Sequence, residues 1–406
     1  MNDSIKKINY LFICLFIFLN PLIPYNVKIH NNITVSDILL LVIFALFLVE
    51  ILRNRQKMKE CFYIMLGDKT LFCLILLFIV MMISVTYAKE KPLALEESLR
   101  FFCYIGLYII LSLSYREEKH FKGFVTSFVA SVTLISIIGI FQKITGMGIP
   151  HQYDYKVNGV TMVRVAAVFG NPNTLAAFMI LSIFPIVMFA FFEKNLKKKA
   201  FYSILSVLIV YNAALTGSRN SYMGLALGFC VLALIYSIKL ILPIIVLGGA
   251  SMFLPQVTSR LRSIDNKNLN DARIKLWKTA LKMIKDHPLS GVGNGNYIAN
   301  YDAYVKQYPE LRYADYSRFP VHNSYLKIES ELGIFGGIFF VATIVNVFLK
   351  LYNTYKKTDI KIKKAFYLGF IASTSAFLFM NFSDNLLFVP SITSFFWMFV
   401  AIGDRH

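Results

Sequence analysis

Apolar stretches of close to twenty residues recur along the whole chain, and that recurrence constrains the fold more than any other feature. At about 1.5 Å of rise per residue, a helix of this length matches the hydrocarbon thickness of a bilayer. With 57% hydrophobic residues among 406 and a mean hydropathy of +0.59, one soluble core is not an adequate destination for them. The expected fold is an all-α polytopic membrane protein of about twelve transmembrane helices. They are placed at residues 8 to 25, 34 to 52, 70 to 88, 98 to 114, 121 to 142, 174 to 192, 200 to 216, 220 to 238, 239 to 255, 325 to 349, 364 to 382 and 386 to 403. Asn20, Pro21 and Pro24, with no small-residue cleavage site, make the first segment a retained helix and not a secretory signal. The chain thus divides into residues 1–255 with spans one to nine, a long extracytoplasmic loop over 256–324, and residues 325–406 with spans ten to twelve.

Charge orients this frame. With both termini cytoplasmic, the inner loops collect Lys6 and Lys7, Arg53 to Lys69, Arg116 to Lys122, Lys194 to Lys199, Lys239, Lys350 to Lys364 and Arg405. These are 22 of the 42 lysines and arginines, whereas the short outer loops hold seven, Lys28, Lys89, Lys91, Lys143, Lys156, Arg164 and Arg219. That asymmetry is the one that sets membrane orientation, and it predicts a cytoplasmic-membrane protein with its working face outside. Anchoring against anionic lipid accounts for most of the net charge of +19, so nucleic acid is not an expected partner. The five cysteines fall in spans or a cytoplasmic loop, which predicts neither a disulfide framework nor a cysteine metal site. No internal repeat and no low-complexity tract interrupts the pattern.

The loop over 256–324 carries Arg260, Arg262, Lys267, Arg273, Lys275, Lys278, Lys282, Lys285, Lys306, Arg312 and Arg318 against six acids. Long loops translocate largely regardless of charge, so the excess is compatible with an outer position. Asp271 to Asp286 reads as an amphipathic helix, with Pro288 and Gly291 beyond its end. Trp277, Ala280, Leu281 and Ile284 form its apolar stripe, while Lys275, Lys278, Lys282 and Lys285 gather opposite as a solvated or membrane-surface face. Arg273 falls with the apolar stripe. An inward guanidinium requires a partner, either a bound phosphate or a local acid such as Asp265.

Three stretches, in order, resemble the O-antigen ligase and O-antigen polymerase family of bacterial envelope enzymes. They are Val165 to Ala177 (VAAVFGNPNTLAA), Leu215 to Gly224 (LTGSRNSYMG) and Val321 to Gly333 (VHNSYLKIESELG). Arg273, Trp277 and the run from His287 to Tyr297 (HPLSGVGNGNY) are similar to that family's long loop between its ninth and tenth spans. The resemblance covers residues 160 to 340, together with the number and placement of spans. It implies a GT-C-like, metal-independent glycosyltransferase that needs no cofactor and uses a polyprenyl pyrophosphate-linked oligosaccharide donor at the outer face. The acceptor is a glycan in a polymerase and a lipid or other anchor in a ligase, and other polysaccharide assembly and export proteins are implied partners. The family's functional arginines and histidine match Arg219, Arg273 and His322. Polymerase is the favoured expectation.

The residue chemistry runs parallel to this. A sugar–pyrophosphate bond breaks with negative charge accumulating on a leaving group that needs no proton, so fixed cations near its oxygens are the main requirement. The sequence has no Asp-x-Asp pair and no His–carboxylate cluster at metal-ligand spacing in its outer loops, which favours guanidinium. Arg219, after Thr216, Gly217 and Ser218 in a very short turn, is either such a cation or a side chain snorkelling to headgroup phosphate. Arg164 precedes Asn171, Pro172 and Asn173, which either offer helix-start amides to an anion or simply cap a helix. His322 is either the general base that removes the acceptor proton or a headgroup contact, and Arg318 and Asn323 lie near it in sequence. Glu329 and Glu331, in the next span, are either functional carboxylates or ion-pair partners of Lys327 or Arg318. Gly291, Gly293 and Gly295 follow no strand and belong to loop packing, not to a dinucleotide cradle. Six loop tyrosines, Tyr297, Tyr301, Tyr304, Tyr308, Tyr313 and Tyr316, are available to stack on sugar rings or to sit at the interface. A flippase of lipid-linked saccharide is the alternative from another class. It would line a central path with charge, whereas the candidates here crowd one side.

Overall fold

The computed structural model describes residues 2–24, 27, 34–157, 160–240, 242, 246, 249, 258 and 267–402. Helices α1 (Asn2–Leu19), α2 (Val35–Leu52), α3 (Arg55–Gly67), α4 (Lys69–Ser84), α5 (Lys91–Ser114) and α6 (Glu118–Thr145) precede a short hairpin, β1 (Tyr155–Val157) and β2 (Val160–Met162). After it come α7 (Pro172–Phe192), α8 (Leu196–Leu215), α9 (Arg219–Ile235), α10 (Lys267–Asp286), α11 (Tyr297–Gln307), α12 (Ser324–Lys357), α13 (Lys361–Met380) and α14 (Pro390–Ala401). A helix lies on eleven of the twelve expected spans, with α1 shifted towards the N-terminus. The ninth, 239–255, falls almost wholly outside the described residues, as do Arg260, Arg262 and Asp265.

By length and apolar composition α2, α5, α6, α7 and α12 each suffice to cross a bilayer, and α3 with α4, bent by 83°, would make a sixth. The chain is therefore an integral membrane protein. Helix α3 is absent from the sequence expectation, which left residues 53–69 as an inner loop. The bend sits at Asp68, whose carboxylate caps α4 by accepting from the Thr70 and Leu71 amides.

Helix α7 forms the centre, buried along nearly its whole length against α8, α9 and α13. Pro185 within it lacks the N–H that would bond the Leu181 carbonyl. The Ser373 hydroxyl of α13 donates to that oxygen instead at 2.9 Å, so the acceptor stays satisfied in an apolar setting. Gly369 permits the approach, since a Cβ there would lie 2.4 Å from Pro185 N. A satellite core of Leu276, Ala280, Met283, Val292, Tyr297, Tyr301, Val305 and Val321 joins α10 and α11 to one end of this bundle.

Helix α12 is broken at Gly333, where φ is +64° and ψ is −164°. The break frees backbone groups, and the 288–293 segment takes them up. The Val292 amide donates to Ser330 O, the Gly293 amide to Glu331 O, and the Ile334 amide to Pro288 O. The Gly291–Gly295 run is thus a buried strap against a membrane helix, consistent with the packing role expected of it.

Candidate active site

One cavity of about 230 Å³ is lined by Arg164, Asn173, Gly217, Ser218, Arg219, Asn220, Arg273, Leu276, Tyr313, Phe319 and His322. Each cation arrives on a separate element. Gly217, at φ +58°, turns the chain between α8 and α9, so that Ser218 stands at the N-cap position of α9, without a side-chain capping bond, and Arg219 is its first residue. The positive end of the α9 dipole lies at Arg219 and adds to the guanidinium charge there. Arg164 donates from Nε to Thr216 O at 2.6 Å and from Nη2 to Asn173 Oδ1 at 2.8 Å, which ties the α8–α9 turn to the start of α7.

Arg273 reaches the cavity because α10 buries the stripe in which it stands. Leu276, Ala280 and Met283 are buried at i, i+4 and i+7, and Trp277 and Ile284 are half-buried beside them. The expected stripe is corrected at Leu281, which is exposed. Of the lysines, Lys278 and Lys285 are solvated, Lys275 donates to Arg312 O, and Lys282 lies over the Tyr308 ring.

His322 has a left-handed backbone, φ +50°, unusual for a residue with a side chain, and its carbonyl accepts from Trp277 Nε1 at 3.4 Å. Its Nδ1 lies 3.2 Å from Asp384 Oδ1. Asp384 stands in the turn between α13 and α14 and also accepts from Asn173 Nδ2 at 2.8 Å and from the Asn385 amide at 2.9 Å. Burial pushes the Asp384 carboxyl up. The His322 hydrogen bond and charge, the Asn385 amide and the Arg273 charge outweigh burial and hold it below its ordinary value. A buried, ionised carboxylate on one imidazole nitrogen fixes the ring and leaves the other nitrogen for the cavity that His322 lines.

A second cavity of about 280 Å³ shares His322 and Asn173 with the first and adds Glu97, Asn171, Tyr297, Lys327, Glu331, Asp384, Asn385 and Phe388 among its walls. His322 therefore stands at the junction of two spaces.

Several sequence candidates lie elsewhere. Arg318, next to His322 in sequence, is 47% exposed and makes a two-pronged ion pair with Glu90, whose carboxyl it holds below the ordinary range. Asn323 caps α12 through the Tyr325 and Leu326 amides and donates to Phe382 O. Asn171, although it is in the wall of the second cavity, caps α7 by accepting from the Asn173 amide. Glu331 is fully buried, pairs with Lys327 at 2.7 Å and accepts from the Gly295 and Tyr297 amides, so it fastens the strap, although it borders the second cavity. Glu329 lines neither cavity. Asp384 was missed. Its one signal in the sequence is an acid in a turn expected on the same side as the other candidates.

Three guanidiniums and a carboxylate-held imidazole around one cavity of a largely helical membrane protein make a site suited to an anionic ligand. Residues 204–341 match the family model described as O-antigen ligase. The chain is 25% identical over 356 residues to the teichuronic acid biosynthesis protein TuaE of Bacillus subtilis, covering 80% of this chain and 68% of that one. It is 21% identical over 311 residues to an uncharacterised Haemophilus influenzae protein, covering 71% and 74%. To the ComP-specific O-oligosaccharyltransferase of Acinetobacter baylyi it is 22% identical over 317 residues, covering 71% of this chain and 54% of that protein. Residues 204–341 thus form an O-antigen ligase-type region, and these similarities support a glycan transferase of that type.

Proposed function

We propose that this protein is a surface-polysaccharide polymerase that transfers saccharide from a polyprenyl diphosphate-linked donor at the outer face of the cytoplasmic membrane. The observation that carries the reading is the convergence of Arg164, Arg219, Arg273 and His322, from four separate segments, on one cavity. All four segments, and the Asp384 turn, fall on the outer side in the topology that the loop charges support.

In this reading Arg219 and Arg273, with Arg164 behind them, hold the diphosphate through guanidinium forks. The acceptor hydroxyl enters from the second cavity, whose polar and aromatic lining suits a saccharide end. Its oxygen attacks the anomeric carbon as the carbon–oxygen bond to the diphosphate breaks, and the electron pair departs with the diphosphate. The acceptor proton passes to the His322 nitrogen not engaged by Asp384. Configuration inverts, because nucleophile and leaving group occupy opposite sides of the carbon. Developing charge on the leaving group is met by cations already in place, so no metal is required.

Single alanine replacements of Arg219, Arg273 and His322 test this. Each is expected to lower transfer by purified protein by at least about 10²-fold, and wild-type transfer is expected to survive EDTA. Normal glycan length in all three variants, or activity lost to chelator and restored by magnesium, would remove the mechanism. A deletion strain separates the two acceptors. Single-unit glycans still attached to the surface identify a polymerase, and lipid-linked chains accumulating unattached identify a ligase. A flippase would move donor between leaflets of a reconstituted vesicle without transferring it.

A further inference from the structure

The mouth of the cation-lined cavity carries an aromatic surface that phosphate chemistry leaves unused. Tyr313 and Phe319 line the cavity with ring centroids 5.1 Å apart. Tyr316 stacks on Tyr313 at 5.3 Å and leans on Phe319 at 4.8 Å, and Phe319 lies 5.4 Å from the His322 ring. Tyr316 remains 52% exposed, whereas Tyr297 and Tyr301 of the same loop are spent in the satellite core.

The segment bearing these rings is held in an unfavourable course. Ala314, Arg318 and His322 all have left-handed backbones, with φ of +44°, +52° and +50°. The Tyr313 amide donates to Tyr301 Oη at 3.0 Å, the Ser317 hydroxyl to Asp302 Oδ2 at 2.6 Å, and the Arg318 amide to Asp302 Oδ1 at 3.2 Å, while Arg318 is clamped to Glu90. The volume of about 230 Å³ is below the range of cavities that enclose a drug-sized ligand. A diphosphate and the sugar attached to it fill such a space, and the remaining sugars must lie outside it.

We infer that Tyr313, Phe319 and Tyr316 form the saccharide subsite of the donor, with the first sugar against Phe319 and Tyr313 and the following sugar against Tyr316. A pyranose presents an apolar face of polarised C–H bonds, which suits the electron-rich face of an aromatic ring, and the tyrosine hydroxyls meet its equatorial oxygens at the edge. This assignment rests on the reading of the cavity as the diphosphate site.

The test uses full-length protein in detergent and two probes. Farnesyl diphosphate carries the charge and no sugar, and lipid-linked saccharide extracted from a strain lacking the protein carries both. Tyr316→Ala is expected to raise KM for the extracted donor by a factor of roughly 3 to 10 with kcat nearly unchanged, and to leave farnesyl diphosphate affinity unaltered. Tyr316→Phe, which keeps the ring and removes only the hydroxyl, is expected to raise KM by clearly less than Tyr316→Ala. The subsite is overturned if Tyr316→Ala combined with Phe319→Leu leaves KM unmoved while Arg219→Ala abolishes farnesyl diphosphate binding. It is equally overturned if Tyr316→Phe loses as much as Tyr316→Ala, since the ring is then not the contact. Farnesyl diphosphate binding that ignores both Arg219→Ala and Arg273→Ala would remove the diphosphate reading, and the subsite with it.

Discussion

Asp384 accepts from three directions, and the loss of its charge has two separable consequences. Asparagine at this position is nearly isosteric but cannot hold the imidazole as a carboxylate does, so Asp384→Asn is expected to lower kcat by about 10² or more with little change in donor KM. Steady-state kinetics on the extracted donor check this, and an unchanged kcat would remove Asp384 from the His322 pair. The carboxyl is held below its ordinary value in the folded protein. Its contribution to stability is therefore complete above the ordinary aspartate range, near about pH 4, and is lost as pH falls through the lower folded value. The difference in Tm between wild type and Asp384→Asn should accordingly be constant at neutral pH and shrink only in strong acid. Sequence pointed to Arg219, Arg273 and His322 through the motifs of a family resemblance, and the structure brings the three to one cavity. Sequence did not reach Asp384, whose pairing with His322 spans 62 positions. It set Arg318 near His322, whereas the structure turns Arg318 to Glu90, both residues passing through a left-handed backbone.

At the scale of elements, the positions of helices followed from apolar length, but their junctions did not, since a junction is made by backbone groups that hydropathy ignores. The break in α12 is the clearest case. Gly333 lies inside a run that reads as one continuous span, and only the close approach of the 288–293 strap, with Leu289 O 2.2 Å from where a Cβ would stand, explains why the helix opens there. Glu331 completes the junction through Lys327 and two loop amides while also bordering the second cavity, whereas Glu329 stands apart from both. Glu331→Gln would leave the half-buried Lys327 ammonium without its carboxylate, a loss of roughly 3–5 kcal/mol. Glu329→Gln should cost less than about 1 kcal/mol. Thermal unfolding in detergent checks the pair, and equal midpoints for the two variants would show that the strap is held by its backbone bonds alone.

The whole molecule brings together residues whose only common property in sequence is the side of the membrane on which charge bias puts them. Arg164 and Arg219 lie in short loops, Arg273 and His322 in the long one, and Asp384 in the turn between α13 and α14, yet all five meet within two adjoining cavities. An odd number of membrane crossings between any two of them would instead put those two groups on opposite faces. The reading thus requires the cavity to open away from the cytoplasm, where the loops carrying Lys119 and Lys194 lie. Single cysteines at exposed Tyr316 and at exposed Lys194, in a background lacking Cys14, Cys61, Cys73, Cys103 and Cys230, decide the point. A membrane-impermeant maleimide applied to intact cells should label position 316 and spare 194 until the membrane is permeabilised. Labelling in the opposite order would place the guanidiniums in the cytosol, where an acceptor chain assembled outside could not reach His322, and the polymerase would have no substrate to extend.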